Sequence, residues 1–264
     1  MPETSYKLNW DQISERFYEL GCDHGVLYVK GDSEVSITGL TGVTGAKTYY
    51  SNGVEWNGLT SVSKTPSGAD ANDIYADNIK YASLRAAETF GGTIESYTYP
   101  KEFAECDGSA TVGGGVFIGQ QRRKMFGFAF RSDIGNAAEN GINVDADYKL
   151  HLVYNATASP SEQQYSTIND NPDAITMSWE FSTIPEIVGS ITTGSGQSEV
   201  TTTYLPTATI TIDATKLDTA GLTKLATLEQ ILYGTPASGS GQDAVEAVNA
   251  MLPMPKDVIK FFAS

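Results

Sequence analysis

The sequence predicts a mainly β protein, two antiparallel sheets packed as a sandwich or barrel with one flanking α-helix, and three observations carry that expectation. Thr93 to Tyr99, Phe126 to Phe130, Lys149 to Asn155 and Ile175 to Ser182 alternate in side-chain character with the period of two that a pleated strand imposes. Clusters of Gly, Pro and Asn separate these segments, as hairpin and meander connections require. The region from Thr219 to Tyr233 has Leu222, Leu225, Leu228 and Leu232 on one flank, with Asp218 or Thr219 as a cap and Gly234 and Pro236 as a stop.

A chain of 264 residues can bury a large core, as one large β domain or two smaller ones. Its hydrophobic residues, 40% of the total, come in short pieces, and none approaches the ~20 consecutive apolar residues of a membrane span. The start, Met1-Pro-Glu-Thr-Ser, has no basic and apolar leader, so export by a signal peptide is not expected. A net charge of −15 disfavours tight, sequence-independent binding to nucleic acid, which needs cations to displace counterions. The same acidity suits a surface that DNA slides past. Cys22 and Cys106 have no CxxC spacing, so two reduced thiols are expected, with neither a disulfide framework nor a zinc site.

In order, residues 1–53 read as an N-terminal arm, with an amphipathic stretch at Ser14 to Leu20, a strand at Gly25 to Val29 and an exposed Gly/Thr/Ser-rich loop. Residues 54–234 form the main β unit. Within it, Ser61 to Gly68 is expected to turn at Pro66, Ile74 to Tyr81 to be a strand, and Gly91-Gly92 to break the chain before the next one. Leu84 to Phe90 is ambiguous between helix and strand. Pro100 to Glu105 suits one helical turn ended by Asp107-Gly108. Phe126, Phe128 and Phe130 define a core face, with Gly127, Ala129 and Arg131 opposite, small enough there for a neighbouring sheet or chain to approach. Leu150, Leu152 and Tyr154 point inward, as do Ile175, Met177, Trp179 and Phe181. Residues 188–203 are expected to be a flexible connection, and 235–264 a C-terminal arm with a short helix at Asp243 to Met251 and an apolar tail.

Residue patterns for chemistry are weak. Gly42-Val-Thr-Gly-Ala-Lys-Thr48 lacks the Gly before Lys that lets a phosphate loop wrap its ligand. Asn143, Asp145 and Asp147 mimic the start of a calcium loop without its Gly and closing Glu. His24 and His151 are the only histidines, there is no GxSxG turn, and His151 reads as an outward-facing or satisfied side chain on a strand. A carboxylate pair of glycosidase type cannot be read from spacing alone. The expectation is a protein that is no enzyme and takes no cofactor or metal. Asn155-Ala-Thr157 fits a glycosylation acceptor, of consequence only in a secretory compartment. Arg122, Arg123 and Lys124, the one local basic cluster, suit a phosphate or, as the preferred expectation, carboxylates of a neighbouring subunit.

Val54-Glu-Trp-Asn-Gly-Leu59, Ile74 to Tyr81, Thr93 to Phe103 and Ile118-Gly-Gln-Gln-Arg-Arg-Lys-Met-Phe-Gly-Phe128, with Cys22 to Tyr28 and Lys149 to Ser161, together resemble the major tail tube proteins of long-tailed, non-contractile bacteriophages. The resemblance spans most of residues 15–182. It implies a structural virion protein whose six copies close into a ring and whose rings stack into a tube. The inner sheets would join into a barrel around a lumen that holds the tape measure protein before DNA passes, with tail terminator and distal tail proteins at the ends. On that reading Thr176, Ser178, Glu180 and Thr209 are expected to face the lumen. Six chains of −15 would carry roughly −90 per ring, a wall to which DNA does not adhere. The alternative is a receptor- or carbohydrate-binding β-sandwich on a virion or cell surface.

Overall fold

The alternating segments become strands, and the longest of them join a single antiparallel sheet. The computed structural model describes residues 17–68, 71–84, 88–136, 147–161, 163, 165, 167, 174–193, 199–236 and 247–263. In chain order, β1 (Phe17–Val29) is followed by the short pair β2 (Val35–Ser36) and β3 (Lys47–Thr48), then by β4 (Tyr50–Ser51) and β5 (Val54–Trp56). A long hairpin comes next: β6 (Leu59–Ser67) leads out, β7 (Asn72–Ala76) and β8 (Ile79–Leu84) form its tip, and β9 (Thr89–Ser96) returns. A 3-10 turn (Lys101–Phe103) and α1 (Ala104–Asp107) precede a second hairpin, β10 (Ala110–Gly113) with β11 (Val116–Ile118). After β12 (Phe126–Asn136), β13 (Asp147–Ala158) and β14 (Met177–Thr183), a third hairpin pairs β15 (Gly189–Thr193) with β16 (Val200–Tyr204). The chain ends with β17 (Thr209–Asp213), α2 (Thr219–Tyr233), β18 (Met251–Leu252) and α3 (Pro255–Ala263).

The main sheet runs β5-β1-β12-β13-β14-β9-β6, with β17 paired to the first half of β13. Its two outer strands, β5 and β6, are joined by Asn57-Gly58 alone, which forces the sheet to curl until its edges lie near each other. It stops short of a closed barrel, because no backbone ladder joins β1 to β6 among the described residues. A single curled sheet therefore replaces the two separate sheets anticipated from the sequence. Asn155, at φ 48°, marks the bulge where β13 changes partner: Phe128 faces Val153, and the next ladder pair is Phe126 with Ala156.

Both faces of the central strands are covered. Inside the curl, Trp56, Phe103, Phe126, Phe128, Trp179 and Phe181 pack with Ile94 and Val153, and Trp56 meets Phe103, Phe128 and Trp179 at ring separations of 4.6, 5.6 and 5.7 Å. Outside it, Tyr28, Leu150, Leu152 and Tyr154 pack against Leu225, Leu228 and Leu232 of α2 and Val258 and Phe261 of α3. The Tyr28 hydroxyl, 2.7 Å from the Leu232 carbonyl, donates to it and ties β1 to α2. Burial of each such large side chain contributes roughly 1.5–3 kcal/mol.

Several expectations are corrected by this packing. Pro66 lies inside β6 rather than in a turn; β6 is an edge strand, where a missing N–H costs no ladder bond. Ile74 to Tyr81 is a hairpin, reversed at Asp77 and Asn78, both with positive φ. Gly91 and Gly92 continue β9, where the chain has no room for side chains. Ala129 is fully buried and a Cβ on Gly127 would meet Leu252, so this chain's own C-terminal residues cover the surface expected for a neighbour. Ile175 is 40% exposed, two residues before β14 begins. Leu222 is exposed because a three-residue spacing drifts about 60° per step around a helix, and Ile231 takes the buried place. Residues 189–193 and 200–204, expected to be flexible, form a hairpin, while 194–198 lie outside the described residues. The described part of the helix expected at Asp243 to Met251 is extended, with Val248 bridged to Thr235. Ser14 to Arg16, Arg85 to Ala87, Asn143, Asp145 and 237–246 lie outside the described residues, and Phe17 to Leu20 belong to β1.

The glycine pair offers a direct check. A Cβ on Gly92 would stand 2.1 Å from the Ser63 carbonyl oxygen and 2.8 Å from the Phe181 ring. Gly92→Ala is expected to lower stability by about 1–3 kcal/mol through forced displacement of β6, measured by urea unfolding. An unchanged midpoint would show that β6 and β9 do not approach this closely.

Candidate assembly surfaces

Among the described residues, no element packs on the outer face of the β6–β9–β14 half. Strand register places Ser61 beside Glu95 and Ser178, and Ser63 beside Thr93 and Glu180, so these six polar side chains share one face. Val62, Ile94 and Trp179 alternate to the other side and enter the aromatic core. The Ser61 hydroxyl donates to Glu95 at 2.8 Å, which holds one carboxylate flat against the strands. Glu180 is exposed, and Thr176, just before β14, is exposed too. Of the residues expected at a lumen, Ser178 and Glu180 share this face and Thr176 continues their alternation. Thr209 does not join them: it lies opposite Val153, on the inner side of the curl, with its hydroxyl buried and unpaired. Ser61, Ser63, Thr93 and Glu95 went unrecognised because cross-strand register cannot be read along one strand.

The basic cluster is largely used within the chain. Arg123 donates to the Ala158 carbonyl at 3.0 Å and lies 3.6 Å from Asp107, whose carboxyl is pushed up by burial and partly held down by that guanidinium. Lys124 sits 2.6 Å from Glu105, whose hydrogen bond raises the lysine's pKa. Both pairs fasten α1 to the start of β12. Arg122 has no ion pair or hydrogen bond among the described residues and lines, with Lys30 and Asp32, an open cleft of about 490 Å³.

Two hairpins, and the segments flanking a third, carry apolar side chains that no described residue covers. On the β7–β8 tip, Ile74 faces Ala82, Leu84 lies on the same side, and Ile79 faces Ala76 near the turn. Asp73 and Lys80 form a 2.7 Å ion pair, and that lysine, with Ser83, holds the Asp73 carboxyl below its usual range. Ile74, Tyr75, Ile79, Tyr81 and Leu84 are 40–75% exposed. On the second hairpin Val112, Val116, Phe117 and Ile118 are exposed around the Gly113-Gly114-Gly115 turn. Below the third, Ile184, Ile187 and Leu205 are exposed, Leu205 at 85%.

The two histidines and the cysteines complete the chemical inventory. His24 stands at the surface 2.9 Å from Asp23. His151 is buried and satisfied: Nε2 lies 2.9 Å from the Ser132 hydroxyl, and Nδ1 lies 2.5 Å from the Lys64 ammonium and 3.1 Å from Thr211. A serine nucleophile needs a carboxylate on the far imidazole nitrogen, and here that nitrogen meets a cation. Cys106 is fully buried and its thiol is pushed up to about 12, which leaves it unreactive at neutral pH. Asn155 of the acceptor-like triplet is buried, taking hydrogen bonds from Tyr50 and Lys30 and donating to Glu186, so it serves the fold. Among the described residues, no group of three or more His, Cys, Asp or Glu is placed to hold a metal ion, and no helix is long and apolar enough to cross a membrane.

No protein-family model matches the chain, and no curated protein matches it.

Proposed function

We propose that this protein is the tube subunit of a long-tailed, non-contractile bacteriophage, polymerising as stacked hexameric rings that conduct DNA into the bacterial host. The observation that supports it best is the division of the surface. A curled sheet with a covered core presents one broad polar face carrying Glu95 and Glu180, while hairpins at its margins carry apolar faces without partners. Apolar exposure on this scale is characteristic of surfaces that bury against another chain.

In such a ring the β6–β9–β14 face would line the channel, and its hydroxyls and carboxylates would repel DNA and hold water. The tape measure protein would occupy that channel before ejection, and tail terminator and distal tail proteins would cap the ends. The mature location is then the virion tail, reached after assembly in the host cytoplasm. No membrane insertion is involved.

Electron microscopy combined with single-cysteine labelling tests the proposal. In a Cys22→Ser background, concentrated protein is expected to form sixfold rings or tubes. A cysteine at Ser63 or Glu180 should then be shielded at least tenfold from a bulky maleimide relative to the monomer. A particle that stays monomeric at every concentration, as a receptor- or carbohydrate-binding sandwich would, overturns the assembly; unshielded cysteines in intact tubes overturn the lumen assignment.

A further inference from the structure

The curled sheet has a weak line where β1 and β6 run side by side without a ladder. A cleft of about 470 Å³ opens there, bordered by Glu19, Leu20 and Cys22 of β1, by Ser61, Val62 and Lys64 of β6, and floored by Phe130, Ser132 and His151. Here the interior changes from aromatic to charged. Phe130 stacks on His151 at 4.6 Å and marks the boundary.

One hydrogen-bonded chain crosses the cleft, and donor chemistry fixes its direction. An ammonium can only donate, so Lys64 on β6 donates to His151 Nδ1. The neutral imidazole then carries its proton on Nε2 and donates to the Ser132 hydroxyl, which donates onward to Glu19 of β1 at 3.3 Å. Lys149 closes the chain by binding the same carboxylate. Thr211 holds the ring from β17, and the Lys64 ammonium also lies 5.6 Å from the Phe130 ring centre. Lys64 also donates directly to the Thr211 hydroxyl of β17 at a longer 3.4 Å, so the short link from β6 to the floor is the one that ends on the imidazole lone pair.

We propose that Lys64, His151, Ser132 and Glu19 form an acid-released latch: protonation of His151 turns its Nδ1 from acceptor to donor, sets two cations against each other and frees β6 from the cleft. The charged groups facing the ring are Lys64 from β6, Glu19 from β1 and Lys149 from β13, with Asp213 further along the same face of β17. Burial, then the Lys64 charge, lowers the His151 pKa from 6.5 to about 4, with Glu19 acting against them. The closed latch thus excludes a proton that the released ring accepts. Between those two values release takes up one proton, so its equilibrium constant rises about tenfold for each unit of pH lost. Above the upper value it is independent of pH. The latch belongs to the subunit and does not depend on the tube reading.

Hydrogen exchange of the dilute full-length protein, corrected for the intrinsic pH dependence of exchange, tests it. Protection of Leu59 to Ser67 is expected to fall about tenfold per pH unit from 6.5 to 4 while β12 and β13 keep theirs. His151→Gln, which accepts but cannot be protonated, should abolish that slope. Constant protection in the parent protein, or an equal slope in His151→Gln, overturns the latch. If His151→Gln is globally unprotected, NMR titration of His151 in Lys64→Met decides: removing the cation should raise its proton affinity, and an unchanged titration overturns the latch.

Discussion

Trp56→Ala is expected to remove about 3–5 kcal/mol of folding stability. The indole is 2% exposed, touches Phe103, Phe128 and Trp179, and donates to the Thr98 carbonyl at 2.9 Å. It is also the residue on which the curl depends. Trp56 closes β5, the turn Asn57-Gly58 follows, and β6 starts on the opposite side of the same core. Truncation leaves a cavity that neighbouring rings cannot collapse into, because Phe128 and Trp179 are held by β12 and β14 and Phe103 by the 3-10 turn. Urea unfolding followed by near-ultraviolet circular dichroism measures the loss. A change below about 1 kcal/mol would mean that the aromatic cluster does not hold the two halves together.

The second large effect concerns assembly and leaves folding nearly untouched. Ile79→Asp combined with Leu84→Ser places a charge and a hydroxyl on the uncovered side of the β7–β8 tip. Burying that charge against another chain carries a heavy desolvation cost, while in the free subunit both positions stay in water. The concentration needed for polymerisation is therefore expected to rise at least a hundredfold, equivalent to about 3 kcal/mol per subunit added. Light scattering reads the polymer, and thermal unfolding of the monomer should shift by no more than about 3 °C, since surface changes fall within about 0.5 kcal/mol. Polymerisation at the parent concentration would remove this hairpin from the contact.

What could be read directly from the sequence was whatever depends on neighbours along the chain. Period-two alternation located the cores of β12, β13 and β14, and Phe126, Phe128, Trp179 and Phe181 are buried as that alternation requires. Local cap chemistry located α2, where the Asp218 carboxylate accepts from the Gly221 amide at 2.8 Å, and the helical turn that Gly108 ends at φ 83°. Pairing was not legible, since it depends on residues far apart in the chain. Pro66 and Gly91-Gly92 read as breaks because their backbone chemistry resists a central strand, yet β6 is an edge and β9 needs glycines where Ser63 and Phe181 press against it. His151 illustrates the same limit. Its strand shows an imidazole among apolar residues, but Lys64, Ser132 and Glu19 reach it from 87, 19 and 132 residues away.

By itself, then, the sequence determined a mainly β chain, its principal strand cores, its longest helix and an acidic surface, all set by side-chain period, local capping and charge. Only the tertiary structure decided that one sheet curls instead of two sheets stacking, because a two-residue link holds both outer strands at one corner. Register alone decided which polar faces remain open and which polar groups meet in the cleft between β1 and β6.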